Sequence, residues 1–374
     1  MARRRPCPAG RYRSPVTTPA PPDTPRPTHV RVRSAHGIGR LTLDRPRALN
    51  ALDLGMIHDL TTALEAWLHD SDVQRVIIDG AGDRGLCAGG DVRGLYDQIT
   101  AGRPADVATF FRAEYALDTL IAEYPKPVIV LADGITMGGG IGLSGHAAIR
   151  VVTERSVLAM PETRIGFTPD VGGSLLLSRA PGRLGEYLGL TGATMDAADA
   201  IYAGFADHLV PSAHLPAVIE AFESRADPAG ATEIVLLFDE TPEPSRLAAD
   251  RAWIDDAFSA DTVPQIIERL RARPEAAASR TADTLEELAP TALTVTLAAI
   301  RRARELPHLR AVLAQEYGLV MWFAMTQPDL VEGIRAQLVD KDRAPRWRPA
   351  TLAAVTPGAA WAALNYRPEA PLWS

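Results

Sequence analysis

Along VRVRSAHGIGRLTL, residues 30–43, apolar and polar side chains alternate around Gly37 and Gly39, which predicts two short strands joined as a hairpin. The period then changes. In DLGMIHDLTTALEAWLHD, residues 53–70, apolar positions recur at helical intervals behind Asp53, a suitable N-cap. VQRVIIDG reads as a buried strand, followed by the loop AGDRGLCAGGD, in which Asp91 suits the N-cap of a further helix. A helix is expected over 106–124, and a second buried strand in KPVIVLADG, ending at Gly134. Strands alternating with helices indicate an α/β architecture. After about residue 225 strand signals largely vanish, and PTALTVTLAAIRRARE and LRAVLAQEYGLVMWFAMTQPDLVEGIRAQLV read as amphipathic helices. The expected organisation is a tail over 1–28, an α/β core over 29–225 and a helical region over 226–374, with DETPEP (239–244) as a linker.

Composition narrows the classes. The 374 residues are 47% apolar and 23% charged, which suits one large globular domain or two modest ones. No apolar run reaches the roughly 18–20 residues that a membrane-spanning helix needs. A formal charge of −7 argues against general nucleic-acid binding. With Cys7 and Cys87 alone, a disulfide framework is not expected and a reducing, intracellular setting fits. Residues 1–28 are rich in Arg and Pro, with Asp23 the only acid, so they are expected to be disordered. Arginine enrichment with few acids also suits an organellar transit peptide, but the prolines oppose its amphipathic helix. A cytoplasmic protein is the expectation.

Two glycine-rich loops follow buried strands. GITMGGGIGLSGHA contains Gly140-x-Gly142-x-x-Gly145, formally the dinucleotide fingerprint. The loop starts too late after its strand, and no acid follows at the required distance. Gly138, Gly139 and Gly140 instead permit close backbone approach and leave N–H groups unpaired at a helix start, which suits an oxyanion. Close packing of helix on sheet explains them equally well. If the loop GLCAGGD lies beside it, N–H groups from both could meet at one oxygen. Cys87, flanked by Leu86 and Ala88 without a basic partner, reads as a packing thiol. The scattered histidines lack metal-ligand spacing, Ser144 is not in a nucleophile elbow, and no metal is expected.

MPETRIGFTPDVGG, residues 160–173, places Glu162 and Asp170 among turn residues. If extended, the segment would hold the two carboxylates about 26 Å apart, at roughly 3.3 Å per residue. Pro169 excludes a continuous helix. The chain must therefore turn, with Gly166 the natural place, and a turn can aim both acids into one cavity. The competing reading makes Asp170 an N-cap for a helix beginning near Val171.

Taken with VIIDGAGDRGLCAGGD and GITMGGGIGLSGHAAIRVVTE, this stretch resembles the crotonase (enoyl-CoA hydratase/isomerase) superfamily. EGIRAQLVDKDRAPRWRP, residues 332–349, is similar to the C-terminal signature of its 3-hydroxyisobutyryl-CoA hydrolase family. The resemblance covers about residues 30–355. It implies a spiral of ββα units in two roughly perpendicular sheets, then a helical region. It also implies an oxyanion hole from the N–H groups of Ala88 and Gly139, Glu162 as the principal catalytic acid, Asp170 as a second, and Glu114 as a further substrate-binding residue. The implied reaction is hydrolysis of a 3-hydroxyacyl-CoA thioester in valine breakdown. Coenzyme A is then part of the substrate, and no cofactor is required. Arg47 is a candidate for the coenzyme A phosphates, as good as a solvated surface arginine. The superfamily also implies a homo-oligomer, whose interface the longer C-terminal helices could cover within one chain. Two other activities compete: isomerisation of a dienoyl-CoA or enoyl-CoA by two acids eight residues apart, and idle acyl-CoA binding. Hydration is disfavoured, because Gly142 stands where hydratases carry a second glutamate, and hydration needs two carboxyl groups.

Overall fold

The computed structural model describes residues 28–224 and 230–373. The tail and its transit-peptide reading, apart from Thr28, and the boundary expected at 225 lie outside the described residues.

The hairpin forms as expected: β1 (Val30–Ala35) pairs antiparallel with β2 (Gly37–Leu43), and His36 and Gly37 turn the chain at positive φ. Helix α1 (Leu54–Trp67) starts at Asp53, whose side chain accepts from the Met56 N–H. β3 (Val73–Gly80) lies parallel to β2. Next come α2 (Val92–Thr100), capped by Asp91, and α3 (Pro104–Ala122). β4 (Val128–Ala132), β5 (Ile135–Met137), α4 (Gly139–Gly145), β6 (Ile149–Val152) and β7 (Val157–Ala159) complete the winding. Three further helices, α5 (Gly173–Arg179), α6 (Leu184–Thr191) and α7 (Ala197–Tyr202), lead to β8 (His208–Leu209) and α8 (Leu215–Ser224).

One sheet has the order β1-β2-β3-β4-β6-β8, parallel apart from the hairpin; β5 and β7 pair parallel in a second sheet. Successive strands alternate between the sheets: β4 lies in the first and β5 in the second, then β6 and β7 likewise. The turn before them obeys the same rule, since β3 is in the first sheet and Cys87 bridges to Thr136 of β5. This is a ββα spiral. β3 and β4 are buried along most of their length, which is why they read as continuous apolar runs rather than alternating ones.

The remaining described elements are helical: α9 (Ala231–Val235), α10 (Arg246–Phe258), α11 (Val263–Arg271), α12 (Ala276–Glu287), α13 (Pro290–Ala303), α14 (Leu309–Thr326), α15 (Pro328–Ile334) and α16 (Ala359–Leu364). α14 packs on α3 and α5, and α13 on α5 and α6, so Tyr317, Phe323 and Ile300 share one apolar core with the spiral. The expected linker DETPEP is anchored at its start. Asp239 accepts from the Leu209 N–H, and Glu240 bridges to Leu209, so the segment is fastened to the edge strand β8.

Candidate active site

The turn between the two acids is built as the prolines and glycines require. Glu162 opens a short 3-10 turn, Glu162–Ile165, which ends at Gly166 with φ 71°. The Phe167 N–H returns to the Glu162 carbonyl. A Cβ on Gly166 would lie 2.5 Å from the Asp329 carbonyl oxygen of α15, so the close approach as well as the left-handed backbone requires glycine. Glu162 and Asp170 thereby reach one cavity of about 300 Å³, which Glu114, Gly90, Gly138 and Gly139 also line. Phe110, Phe111 and Phe167 supply its apolar wall. Asp170 is not the helix cap of the competing reading. Gly172 is the N-cap residue of α5, while Asp170 Oδ2 accepts from the Tyr115 hydroxyl at 2.8 Å.

Glu114 and Glu162 flank the glycine run: a Cβ on Gly138 would sit 3.1 Å from Glu162 Oε1, and one on Gly139 2.6 Å from Glu114 Oε1. Glu114 Oε1 and Glu162 Oε2 are buried without a hydrogen-bond partner among the described residues. Buried acceptors left unpaired are costly in a core and reasonable where a substrate supplies donors.

The oxyanion pair requires a correction. The Ala88 N–H donates to the Leu49 carbonyl at 3.0 Å and is not free for a ligand. Two residues on, Gly90 is. Leu52 donates to the Gly89 carbonyl and accepts from the Asp91 N–H, so the intervening Gly90 N–H points away from that bridge. It lies 3.2 Å from where a Cβ of Gly139 would be. Neither the Gly90 nor the Gly139 N–H meets an acceptor among the described residues. These two converge; Ala88 only lines the cavity.

Burial dominates the electrostatics. It raises Glu162 well above the ordinary carboxyl range, and the Asp170 carboxylate adds to the effect. Glu114 is raised in the same way by burial, then by Asp170 and Glu162. Asp170 is pushed up to about 7 against the opposing hydrogen bond from Tyr115. Burial also pushes the Cys87 thiol up to about 12, as suits a packing residue rather than a nucleophile.

Arg47 is not brought to the acids. It is exposed on the short turn Pro46–Ala48 and outside the cavity lining, although Leu49 joins that turn to the glycine loop. Three residues escaped the sequence reading. Tyr115 holds Asp170. Asp118 is buried one helical turn beyond Glu114, and its Oδ1 would stand 2.7 Å from a Cβ on Gly142. Glu316 is buried on α14 and bonds to the Gly172 and Ser174 N–H groups. The available signal for Asp118 was its i, i+4 spacing from Glu114, and for Glu316 an acid inside the apolar run LAQEYGLVMWFAM.

A family model described as enoyl-CoA hydratase/isomerase matches residues 38–364. The mitochondrial 3-hydroxyisobutyryl-CoA hydrolase of Danio rerio is 40% identical over 326 residues, 85% of this chain and 84% of its own. The 3-hydroxyisobutyryl-CoA hydrolase 1 of Arabidopsis thaliana is 40% identical over 336 residues, 87% of this chain and 88% of its own. Among solved structures, a carnitinyl-CoA dehydratase from Mycobacterium thermoresistibile has a TM-score of 0.87 at 44% identity, covering 92% of this chain and 98% of that one. An enoyl-CoA hydratase from Rhodobacter sphaeroides has a TM-score of 0.84 at 42% identity, covering 90% and 97%. The vertebrate relatives, among them those of Rattus norvegicus and Homo sapiens, are named as mitochondrial, which overturns the expectation of a cytoplasmic protein. That expectation rested on few cysteines, which any reducing compartment permits, and on prolines in the first residues, which do not exclude an import signal. The ββα spiral, the paired glycine loops and the likeness over most of the chain agree: the chain belongs to the enoyl-CoA hydratase/isomerase family.

Proposed function

We propose that the protein hydrolyses the thioester of a short 3-hydroxyacyl-CoA, with 3-hydroxyisobutyryl-CoA giving 3-hydroxyisobutyrate and free coenzyme A in valine catabolism. One observation carries the reading: Glu162 and Asp170 share a cavity with two free, convergent N–H groups, while the place of a hydratase's second glutamate is filled. A side chain on Gly142 would meet Asp118 Oδ1 and the Val171 Cβ, 2.9 Å away. The names of the relatives support the same reading.

In this mechanism the thioester oxygen accepts from the Gly90 and Gly139 N–H groups, which stabilise the charge that develops as the carbonyl carbon becomes tetrahedral. The Glu162 carboxylate either attacks that carbon or removes a proton from an attacking water. In the first case collapse expels coenzyme A thiolate and leaves a mixed anhydride, which water cleaves to return the carboxylate. In the second the thiolate leaves directly. Label found in Glu162 after a single turnover in 18O-labelled water identifies the anhydride route, with water attacking the Glu162 carbonyl carbon. Asp170, oriented by Tyr115 and with Glu114 nearby, accepts from the substrate's 3-hydroxyl and fixes the carbonyl at the N–H pair.

The names of the two solved structures favour a second reading, hydration or dehydration of an acyl-CoA. Isomerisation by the two acids competes on the same geometry. One assay decides among them: the purified protein is given 3-hydroxyisobutyryl-CoA, 3-hydroxypropionyl-CoA and an enoyl-CoA. Hydrolysis releases free thiol from the first two and leaves the enoyl-CoA unhydrated. Hydration or isomerisation of the enoyl-CoA, with no thiol released from either hydroxyacyl ester, would reject the proposal.

A further inference from the structure

Asp170 is followed by a backbone that its own sequence disfavours. Val171 is β-branched yet has φ 52°, and Gly172 follows at 76°. A β-branched residue in the left-handed region is strained and persists only where the surroundings over-determine it. Three contacts do so here. The Gly173 N–H donates to the Asp170 carbonyl at 2.6 Å. His146 Nε2 meets the Val171 carbonyl at 2.9 Å. Glu316 accepts the Gly172 N–H at 2.7 Å on Oε2 and the Ser174 N–H at 2.9 Å on Oε1. Both carboxylate oxygens are thus engaged by the two backbone donors that flank Gly173. A Cβ on Gly172 would collide with His146 Nε2, so the clamp leaves no space for another residue there.

We infer that Glu316, delivered by the C-terminal helix α14, is a positioning residue that fixes the Asp170 turn and so sets the enzyme's preference for a 3-hydroxylated acyl group. An ordinary helix cap would stabilise α5 and nothing more. This one grips Gly172 and Ser174, two and four residues after Asp170, at the strained bend that decides where the acid points. A carboxyl group suits the task because each of its oxygens can accept; glutamine would set an amide N–H against one of the two backbone donors.

The inference rests on the proposed contact between Asp170 and the substrate hydroxyl, and the test separates the two. Values of kcat/KM for 3-hydroxyisobutyryl-CoA and its deoxy analogue isobutyryl-CoA are measured for wild type, Asp170→Asn, Glu316→Gln and the double variant. Thermal melting and circular dichroism accompany them. Glu316→Asp, which keeps the carboxyl group and shortens its reach, is read instead if the glutamine variant does not fold. The expected result is a wild-type preference for the hydroxylated ester that falls about tenfold or more in each single variant. Turnover of isobutyryl-CoA stays within about twofold in Glu316→Gln, and the double variant loses no more preference than Asp170→Asn. Preference retained in Glu316→Gln but lost in Asp170→Asn would overturn the role of Glu316 alone. Preference unaffected by Asp170→Asn would overturn the contact itself, and this inference with it.

Discussion

Glu162 must be ionised either to attack a thioester or to take a proton from water, yet burial and the Asp170 carboxylate hold its pKa well above the usual carboxyl range. The sign follows directly. A base with a raised pKa is increasingly populated as pH rises, so kcat/KM should still be climbing at a pH where an exposed glutamate would already have reached its plateau. A profile from pH 5 to 9 that is flat above pH 6 would show that Glu162 is ionised in the free enzyme despite its burial. At this scale the sequence was legible wherever the constraint was local. Pro169 and Gly166 forced the turn that brings Glu162 to Asp170. It was illegible where a partner came from afar. Whether Ala88 or Gly90 offers a free N–H depends on a bridge to Leu52 and a bond to Leu49. Glu316 meets Gly172 across 144 residues of chain.

At the scale of elements, the glycine loops and strands were readable because each is a short apolar run followed by residues with special backbone needs. The covering of the site by the C-terminal helices was not, since no local pattern says which face a helix will meet. Gly166 lies under Asp329 of α15, and a Cβ on Gly333 would collide with the Ile165 carbonyl oxygen. Thr296 of α13 donates to the Thr168 hydroxyl at 2.9 Å. The whole segment from Glu162 to Gly172 is therefore braced by elements that follow the spiral. Gly166→Ala would both strain a φ of 71° and push α15 away. It should cost at least about 1–2 kcal/mol. Activity should fall further than stability, because both acids ride on the displaced turn. A variant that melts early but turns over normally at a temperature where it is folded would contradict this coupling of brace to site.

Across the molecule, Glu114, Asp118, Glu162, Asp170 and Glu316 are all buried with their pKa values raised, burial being the largest cause in each. Asp170 lies at about 7 and Glu316 at about 8. Below about pH 4 these groups are protonated in the folded and unfolded chains alike, and their contribution to stability is fully present. As pH rises towards 7–8 the unfolded chain releases protons that the folded one keeps, so stability is lost over that window. Asp170→Asn removes one such group. Its melting temperature relative to wild type should rise by a few degrees between pH 4.5 and 7.5. A difference that shrinks over the same range would mean that Asp170 is stabilised as a carboxylate in the fold. A cluster of acids held together at this energetic cost is reasonable in a site that needs a carboxylate base and hydroxyl acceptors in one dry cavity.

The central claim is thioester hydrolysis with Glu162 at its centre, and thiol release from 3-hydroxyisobutyryl-CoA by wild type and Glu162→Gln tests it most directly. The substitution keeps the shape of the side chain and removes its ability to act as nucleophile or base. Release by the wild type that falls by about 10²-fold or more in a folded Glu162→Gln is the predicted result. Thiol release that survives the substitution undiminished would contradict the account, because the cavity's chemistry would then not pass through Glu162.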